Sequence, residues 1–193
     1  MSYKLTVASA AVLFLGTLGS PGTARAENLK LDPAHSFLVF QIGHMDVSRV
    51  WGRVNGPTGT VNIDDAKLDG SSIQVSAKAE NIDTGVKGRD DHLKRPDFFD
   101  AKQFPDITFK STSIKKTGDN SYEVTGDLAM HGQSKPITVT LTKLGAGDKG
   151  PPMGYRAGYE TSFTIKRSDW GMTNMVGPVG DEVKLFINLE CTR

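Results

Sequence analysis

The sequence predicts an all-β domain whose antiparallel strands close into a barrel, with one short helical crossover. Three observations carry this. Apolar and polar residues alternate with period two from Pro33 onward, no long stretch shows helical periodicity, and turn-forming clusters such as "TGDN", "HGQSKP" and "GAGDKGPPMG" separate the alternating runs. One-sided alternation in roughly eight strands leaves two closures, a sandwich of two sheets or a barrel. Small inward-phase residues (Gly52, Ala77, Ala79, Gly126, Ala157) interspersed with Phe40, Phe109, Leu128, Phe163 and Leu185 favour a barrel with room inside.

The elements follow in order. Lys4, an apolar run over 5–18 and the small-residue pattern Ala24-Arg25-Ala26 read as a secretory signal peptide, residues 1–26, cleaved after Ala26. Residues 27–193 then form a single domain. In "HSFLVFQIGH" the inward phase is Leu38, Phe40, Ile42 and His44; in "VSRVWGRVNG" it includes Val50, Gly52 and Val54. "GTVNID" is a short strand, and "SSIQVSAKAENID" points Ile73, Val75, Ala77 and Ala79 to one side. "DITFKSTSIKK", "SYEVTGDLAMHG", "KPITVTLTKLG", "YRAGYETSFTIKRS" and "DEVKLFINLEC" supply the rest. Their contributions to the wall include Phe109, Leu128, Val139, Phe163 and Ile187. Pro136 stands near a strand start, where a missing amide hydrogen is tolerated.

Charge and cysteine content narrow the function classes. Lys and Arg number 23 against 22 Asp and Glu; removing Lys4 and Arg25 with the leader leaves the domain close to neutral, without the basic footprint of a nucleic-acid binder. Cys191 is the single cysteine, so an intramolecular disulfide is impossible; it reads as a small apolar residue ending the last strand.

Six stretches, "HSFLVFQIGH", "VSRVWGRV", "IDTGVKGRDDHLKRPDFFDAKQFPDITFKS", "VTGDLAMHGQSKPITV", "KRSDWGM" and "GDEVKLFINLE", resemble the YceI-like, polyisoprenoid-binding proteins in order and spacing. The most specific match is the third, through Asp83-Thr84-Gly85, Arg89-Asp90, His92-Leu93, Phe98-Phe99 and Pro105. The resemblance implies an eight-stranded, lipocalin-like barrel in the periplasm. It further implies a long isoprenoid, quinone-like or other amphiphilic lipid along the axis, with no catalytic residues. The chain departs from the pattern at Val54 and Pro57, where aromatics are common, at Ala129, where threonine is usual, and at Trp170, where phenylalanine is usual.

The crossover segment 88–104 admits two readings. As a cover, Leu93, Phe98, Phe99 and Phe104 lie on apolar atoms while Lys94, Arg95 and Asp97 stay wet, giving a lid on the barrel mouth. The same side chains would equally plug the end of a solid barrel. As a catalytic loop, Asp90 and His92 are the raw material of a general base, and a hydrolase or isomerase acting on a lipid is the alternative function. No G-x-S-x-G motif accompanies them, and an ion pair or cap between Arg89 and Asp90 would pin the crossover instead.

Histidines 35, 44, 92 and 131 have no metal-ligand spacing, so no metal is expected. His131 falls at a turn and reads as exposed; His44 is either a satisfied core histidine or a contact for a ligand's polar end. The expected ligand wall is therefore the inward-phase set with Trp170, and the lid is Leu93, Phe98 and Phe99. No catalytic residue or cofactor is expected beyond the lipid itself. The expected partners are an amphiphilic lipid and, transiently, a membrane, for a monomer or homodimer. A small interaction module with a solid barrel is the third reading.

Overall fold

The computed structural model describes residues 28–193; the expected signal peptide lies outside the described residues. The strands are β1 (Leu29–Leu31), β2 (Phe37–His44), β3 (Ser48–Val54), β4 (Thr58–Asn62), β5 (Ser72–Lys78), β6 (Ile82–Asp83), β7 (Asp106–Gly118), β8 (Ser121–Met130), β9 (Gln133–Asp148), β10 (Tyr155–Lys166) and β11 (Val179–Thr192). One helix, α1 (Lys87–Leu93), lies in the crossover. The strands form a single antiparallel sheet in the order β1-β4-β5-β7-β8-β9-β10-β11-β2-β3-β6, closed by pairing of β1 with β11.

Three pairs of short strands are single barrel strands interrupted once. β1 and β2 both lie against β11; β4 and β3 continue on their far side; β5 and β6 follow in turn. With β7 to β11 uninterrupted, this is the eight-stranded barrel that the alternation implied. The breaks are chemically legible. Asp32 Oδ1 accepts from Ala34 N at 2.9 Å to form an Asx turn after β1. Gly56 takes φ 65° beside Pro57 between β3 and β4, and a 3₁₀ turn at Ala79–Asn81 separates β5 from β6. Sequence reading missed β1, three residues ahead of Pro33 that are too few to show a period.

The interior is not uniform. At the end where β11 finishes and β10 begins, Val61, Tyr122, Tyr159, Ala157 and Cys191 fill the barrel with Leu29, Leu31 and Leu189. Burial pushes the Cys191 thiol up to about 12 and, aided by the Asp65 carboxylate, raises the Tyr122 hydroxyl as well. Tyr122 donates its hydroxyl hydrogen to Asp65 outside the floor, so its buried ring does not strand a polar atom.

The small residues expected to make space do not. A Cβ at Gly52 would meet the Phe40 ring at 2.3 Å, and one at Gly126 the Phe109 ring at 2.5 Å. These glycines are seats for aromatic rings. Ala157 belongs to the floor, and Ala79 packs with Ile82 and Ala101 under the crossover.

Beyond β6 the sheet has no strand facing β7, and the crossover fills that position. α1 ends at Leu93, and Lys94 caps it two residues before Pro96, as proline disfavours a helical residue ahead of it. The β9–β10 ladder runs from Tyr155↔Asp148 to Glu160↔Thr142; past it, Thr161 Oγ1 donates to Thr140 O at 2.7 Å.

Candidate ligand-binding cavity

Above the floor the barrel holds an open cavity of about 440 Å³, inside the ~300–1,000 Å³ range of small-molecule sites. Its walls come from nearly every strand because period-two alternation turns the same face of each inward. β2 presents Leu38, Phe40, Ile42 and His44; β3 adds Val50 and Val54; β5 adds Ile73 and Val75. Phe109, Leu128, Val139, Phe163 and Ile187 continue the ring, with Leu93, Phe98 and Phe99 from the crossover. Many wall residues, Leu38, Phe40, Phe163 and Ile187 among them, are only half-buried although they point inward, since the space they face is open. The cavity is a blind well, not a tube through the molecule: Ile73, Val124, Leu141 and Leu189 form its base, with the tyrosine-filled floor beneath.

Trp170 stands apart from the wall. Its indole donates from Nε1 to Leu128 O at 2.9 Å, and the ring packs with Leu128, Met130 and Met172 behind the wall. The alternation ends in the 3₁₀ turn Arg167–Trp170, which takes the position that the resemblance places on the wall out of the strand. Phe104 is likewise outside the lid, packed over Gly132 and edge-on to His131 at 5.5 Å. His131 is not simply exposed: it is half-buried, and its Nδ1 donates to Trp170 O at 2.9 Å.

The polar residues of the well were mostly invisible to strand patterning. Thr84, ahead of α1, and Arg89, in its first turn, line it. Arg89 donates from Nε to Thr84 Oγ1 at 2.7 Å and from Nη2 to Thr84 O at 2.9 Å. Asp90 Oδ1 accepts from Thr84 N at 2.8 Å and Thr84 Oγ1 at 2.5 Å. Instead of pairing with each other, Arg89 and Asp90 both grip Thr84, and that shared grip pins the crossover. The local motif "DTGVKGRD" brings the three together across the first turn of α1.

Asp90 and His92 are held by different partners. His92 Nε2 donates to Asp97 Oδ2 at 2.8 Å, Asn174 Nδ2 donates to the same oxygen at 3.1 Å, and the His92 bond holds the Asp97 carboxyl below its usual range. The triangle ties the crossover to the loop before β11. His44 lines the well at its rim, half-buried, and is not the satisfied core histidine of the first reading; its ring makes no hydrogen bond among the described residues.

Arg167, 4 % exposed, organises that same loop. It donates to Gly180 O at 2.9 Å, Met172 O at 2.6 Å, Asn174 O at 2.8 Å and Val179 O at 3.1 Å. Burial pulls its pKa below the ordinary arginine value, opposed by the nearby Asp181 carboxylate, and its hydrogen bonds go to the four carbonyls. The signal for it was present in "KRSDWGM", where a charged residue follows an alternating strand into a turn. At the opposite end, Asp32, His35 and Glu190 bring ligand atoms together, but Arg156 Nη1 already lies 2.8 Å from Asp32 Oδ2 and 3.2 Å from Glu190 Oε1. That cluster is an ion-pair clasp joining the end of β1 to β10 and β11.

A closed antiparallel barrel, blind at one end and covered by a Thr84-anchored crossover at the other, is the geometry to compare with known proteins. The model of the YceI-like domain matches residues 29–191. The chain belongs to the YceI-like family. A UPF0312 protein of Pseudomonas aeruginosa is 36% identical over 186 residues, covering 95% of this chain and 96% of that protein. Among solved structures, Burkholderia cenocepacia BcnA superposes with a TM-score of 0.75 at 28% identity, over 84% of this chain and 99% of BcnA. A polyisoprenoid-binding domain from Saccharophagus degradans, implicated in plant cell wall breakdown, shares the fold alone: TM-score 0.63 at 14% identity, over 87% of this chain and 99% of that domain. In this YceI-like chain the motif residues Arg89 and Asp90 both bond to Thr84 at the start of the crossover.

Proposed function

We propose that this YceI-like protein is an exported carrier that holds one long-chain amphiphilic lipid, isoprenoid or quinone-like, in the well and does no chemistry on it. The observation that carries the reading is the well itself: aliphatic and phenyl side chains from eight strands and the crossover face an open space. The family and the polyisoprenoid-binding neighbour support the ligand class, and the pattern over residues 1–26 supports export to the periplasm.

The energetics suit a carrier. Each buried methylene gains about 0.8 kcal/mol relative to water, so a tail of several isoprene units offsets its loss of freedom. Moving the same tail out of a bilayer gains little, since both surroundings are apolar, and exchange stays reversible. Thr84, Arg89, His44 and Thr161 are among the polar wall groups that would meet a polar end.

The test is organic extraction of protein purified from its natural compartment, followed by mass analysis. A long-chain lipid near one per protein is expected. Protein that leaves the cell envelope empty, and takes up no isoprenoid alcohol or quinone from detergent, would sink the carrier reading.

A further inference from the structure

Among the described residues nine large apolar side chains are exposed; Phe37, Trp51, Leu144 and Met153 are spread over other parts of the barrel, and the remaining five gather in one place. Met45 (61% exposed), Val47 (83%), Val86 (51%), Met175 (48%) and Val176 (46%) all belong to three segments bordering the cavity opening. These are the β2–β3 hairpin tip next to the wall residue His44, the start of α1 next to Thr84, and the loop before β11, whose Met175 and Val179 also face the well.

Hydrogen bonds make these segments one rim. Met45 N donates to Pro178 O at 2.7 Å, Val179 N to Met175 O at 2.9 Å, and Asn174 reaches Asp97 of the crossover. Arg167 holds the loop from beneath.

Backbone conformation gives an independent indication. Met45 at φ 52° and Met175 at φ 55° occupy the left-handed region without being glycine or asparagine. Such residues persist where the surrounding structure fixes them, and they gather at functional sites. Here that structure holds the Met45 side chain out into solvent and leaves that of Met175 at the edge of the well, half in solvent. Two of the three rim segments have little charge to desolvate, since residues 171–178 carry none and Asp46 is the one acid in the hairpin tip 44–48, while the start of α1 carries Lys87 paired with Asp91 at 2.6 Å.

We propose that this rim docks on a lipid bilayer, with Met45, Val47, Met175 and Val176 entering the boundary between headgroups and acyl chains. The inference rests on the carrier reading. It supplies what that reading requires, a path on which the tail passes between bilayer and well without crossing water.

The test is flotation of the mature protein with vesicles of phosphatidylethanolamine and phosphatidylglycerol, with no other ligand added. Wild type is expected to float with the vesicles, and Val47→Asp/Val176→Asp to lose about tenfold in partition coefficient. Met45→Asn/Met175→Asn is the second variant. Asparagine tolerates positive φ, so this protein should be at least as heat-stable as wild type yet partition more weakly. Leu185→Trp, which obstructs the well, should leave flotation unchanged while emptying the protein of lipid. Equal partition of wild type and both rim variants overturns the docking, as does wild type that stays with the soluble fraction. A solution dimer dissolved by the rim variants, without flotation, assigns the rim to a second copy and also overturns it. Flotation of a protein that never carries lipid would instead sink the carrier reading alone.

Discussion

The floor and the mouth of this barrel are built by the same strands with the same alternation, and they differ in almost every physical respect. At the floor Val61, Tyr122 and Cys191 are fully buried and the interior is packed; at the mouth, inward-pointing Leu38, Phe40 and Phe163 remain half-buried around an open well. Two arginines mark the contrast. Arg156 clasps the floor from outside through Asp32 and Glu190, whereas Arg167 is buried near the mouth and bonded to four neutral carbonyls. The difference teaches that period two decides which way a side chain points, while the volumes of facing residues decide whether the space is filled. Stability is thereby concentrated at one end and ligand access at the other.

The largest expected effect tests this division directly. Tyr122→Ala removes a ring from a filled floor and should cost about 3–5 kcal/mol in urea unfolding, the range for buried aromatic truncations. Phe163→Ala removes a ring that already faces open space, so little new cavity forms and about 1–2 kcal/mol is expected. Equal losses would erase the distinction between the two ends.

Next in size is Arg167→Met, which keeps much of the side-chain volume but leaves four carbonyls short of their donor. A loss of about 2–4 kcal/mol is expected, with faster hydrogen exchange in residues 172–180 than at the floor. Uniform exchange along β11 would show that the loop does not depend on Arg167. Phe99→Asp should lower thermal stability less, since the ring is half-buried between two clusters. It should reduce retained lipid by at least ~10-fold, because a carboxylate in an apolar well penalises the tail. Native mass spectrometry of the paired proteins reads that outcome, and equal occupancy would remove Phe99 from the lid.

How much of this was legible in the sequence follows from the same contrast. Strands β2 to β5 and β7 to β11 announce themselves, because Leu38-Phe40-Ile42 or Ile73-Val75 alternate with polar neighbours over enough residues to show a period, whereas the two residues of β6 read as a continuation of β5. The wall residues were legible for the same reason, and the crossover for its helix bounded by proline. What escaped depends on contacts between residues distant in sequence. Gly52 and Gly126 looked like open space until Phe40 and Phe109 were seen lying over them. Trp170 and His131 lie thirty-nine positions apart and meet through one hydrogen bond that no local pattern encodes. Tyr122 and Tyr159 share the inward phase of wall residues, and only the closing of β1 on β11 turns their level into a floor.

The smallest expected effect concerns the clasp outside the floor. Hydrogen bonds from His35 and the Ala34 amide, with Arg156 beside it, lower the Asp32 carboxyl from 3.8 to about 2, and the same contact raises the His35 imidazole above 6.5. A carboxyl with a depressed folded pKa stabilises the fold above its unfolded value, and that contribution drains as pH falls from about 4 towards 2. The raised histidine works in the opposite direction: its share is complete below 6.5 and fades as pH climbs through its folded value. The clasp should therefore be strongest between the two windows, and Asp32→Asn should flatten both limbs of the stability–pH curve. Because these groups lie at the surface, salt should shrink the effect. A mouth substitution such as Phe99→Asp should leave the His35 limb untouched, so a titration of unfolding midpoints separates the two ends of the barrel once more.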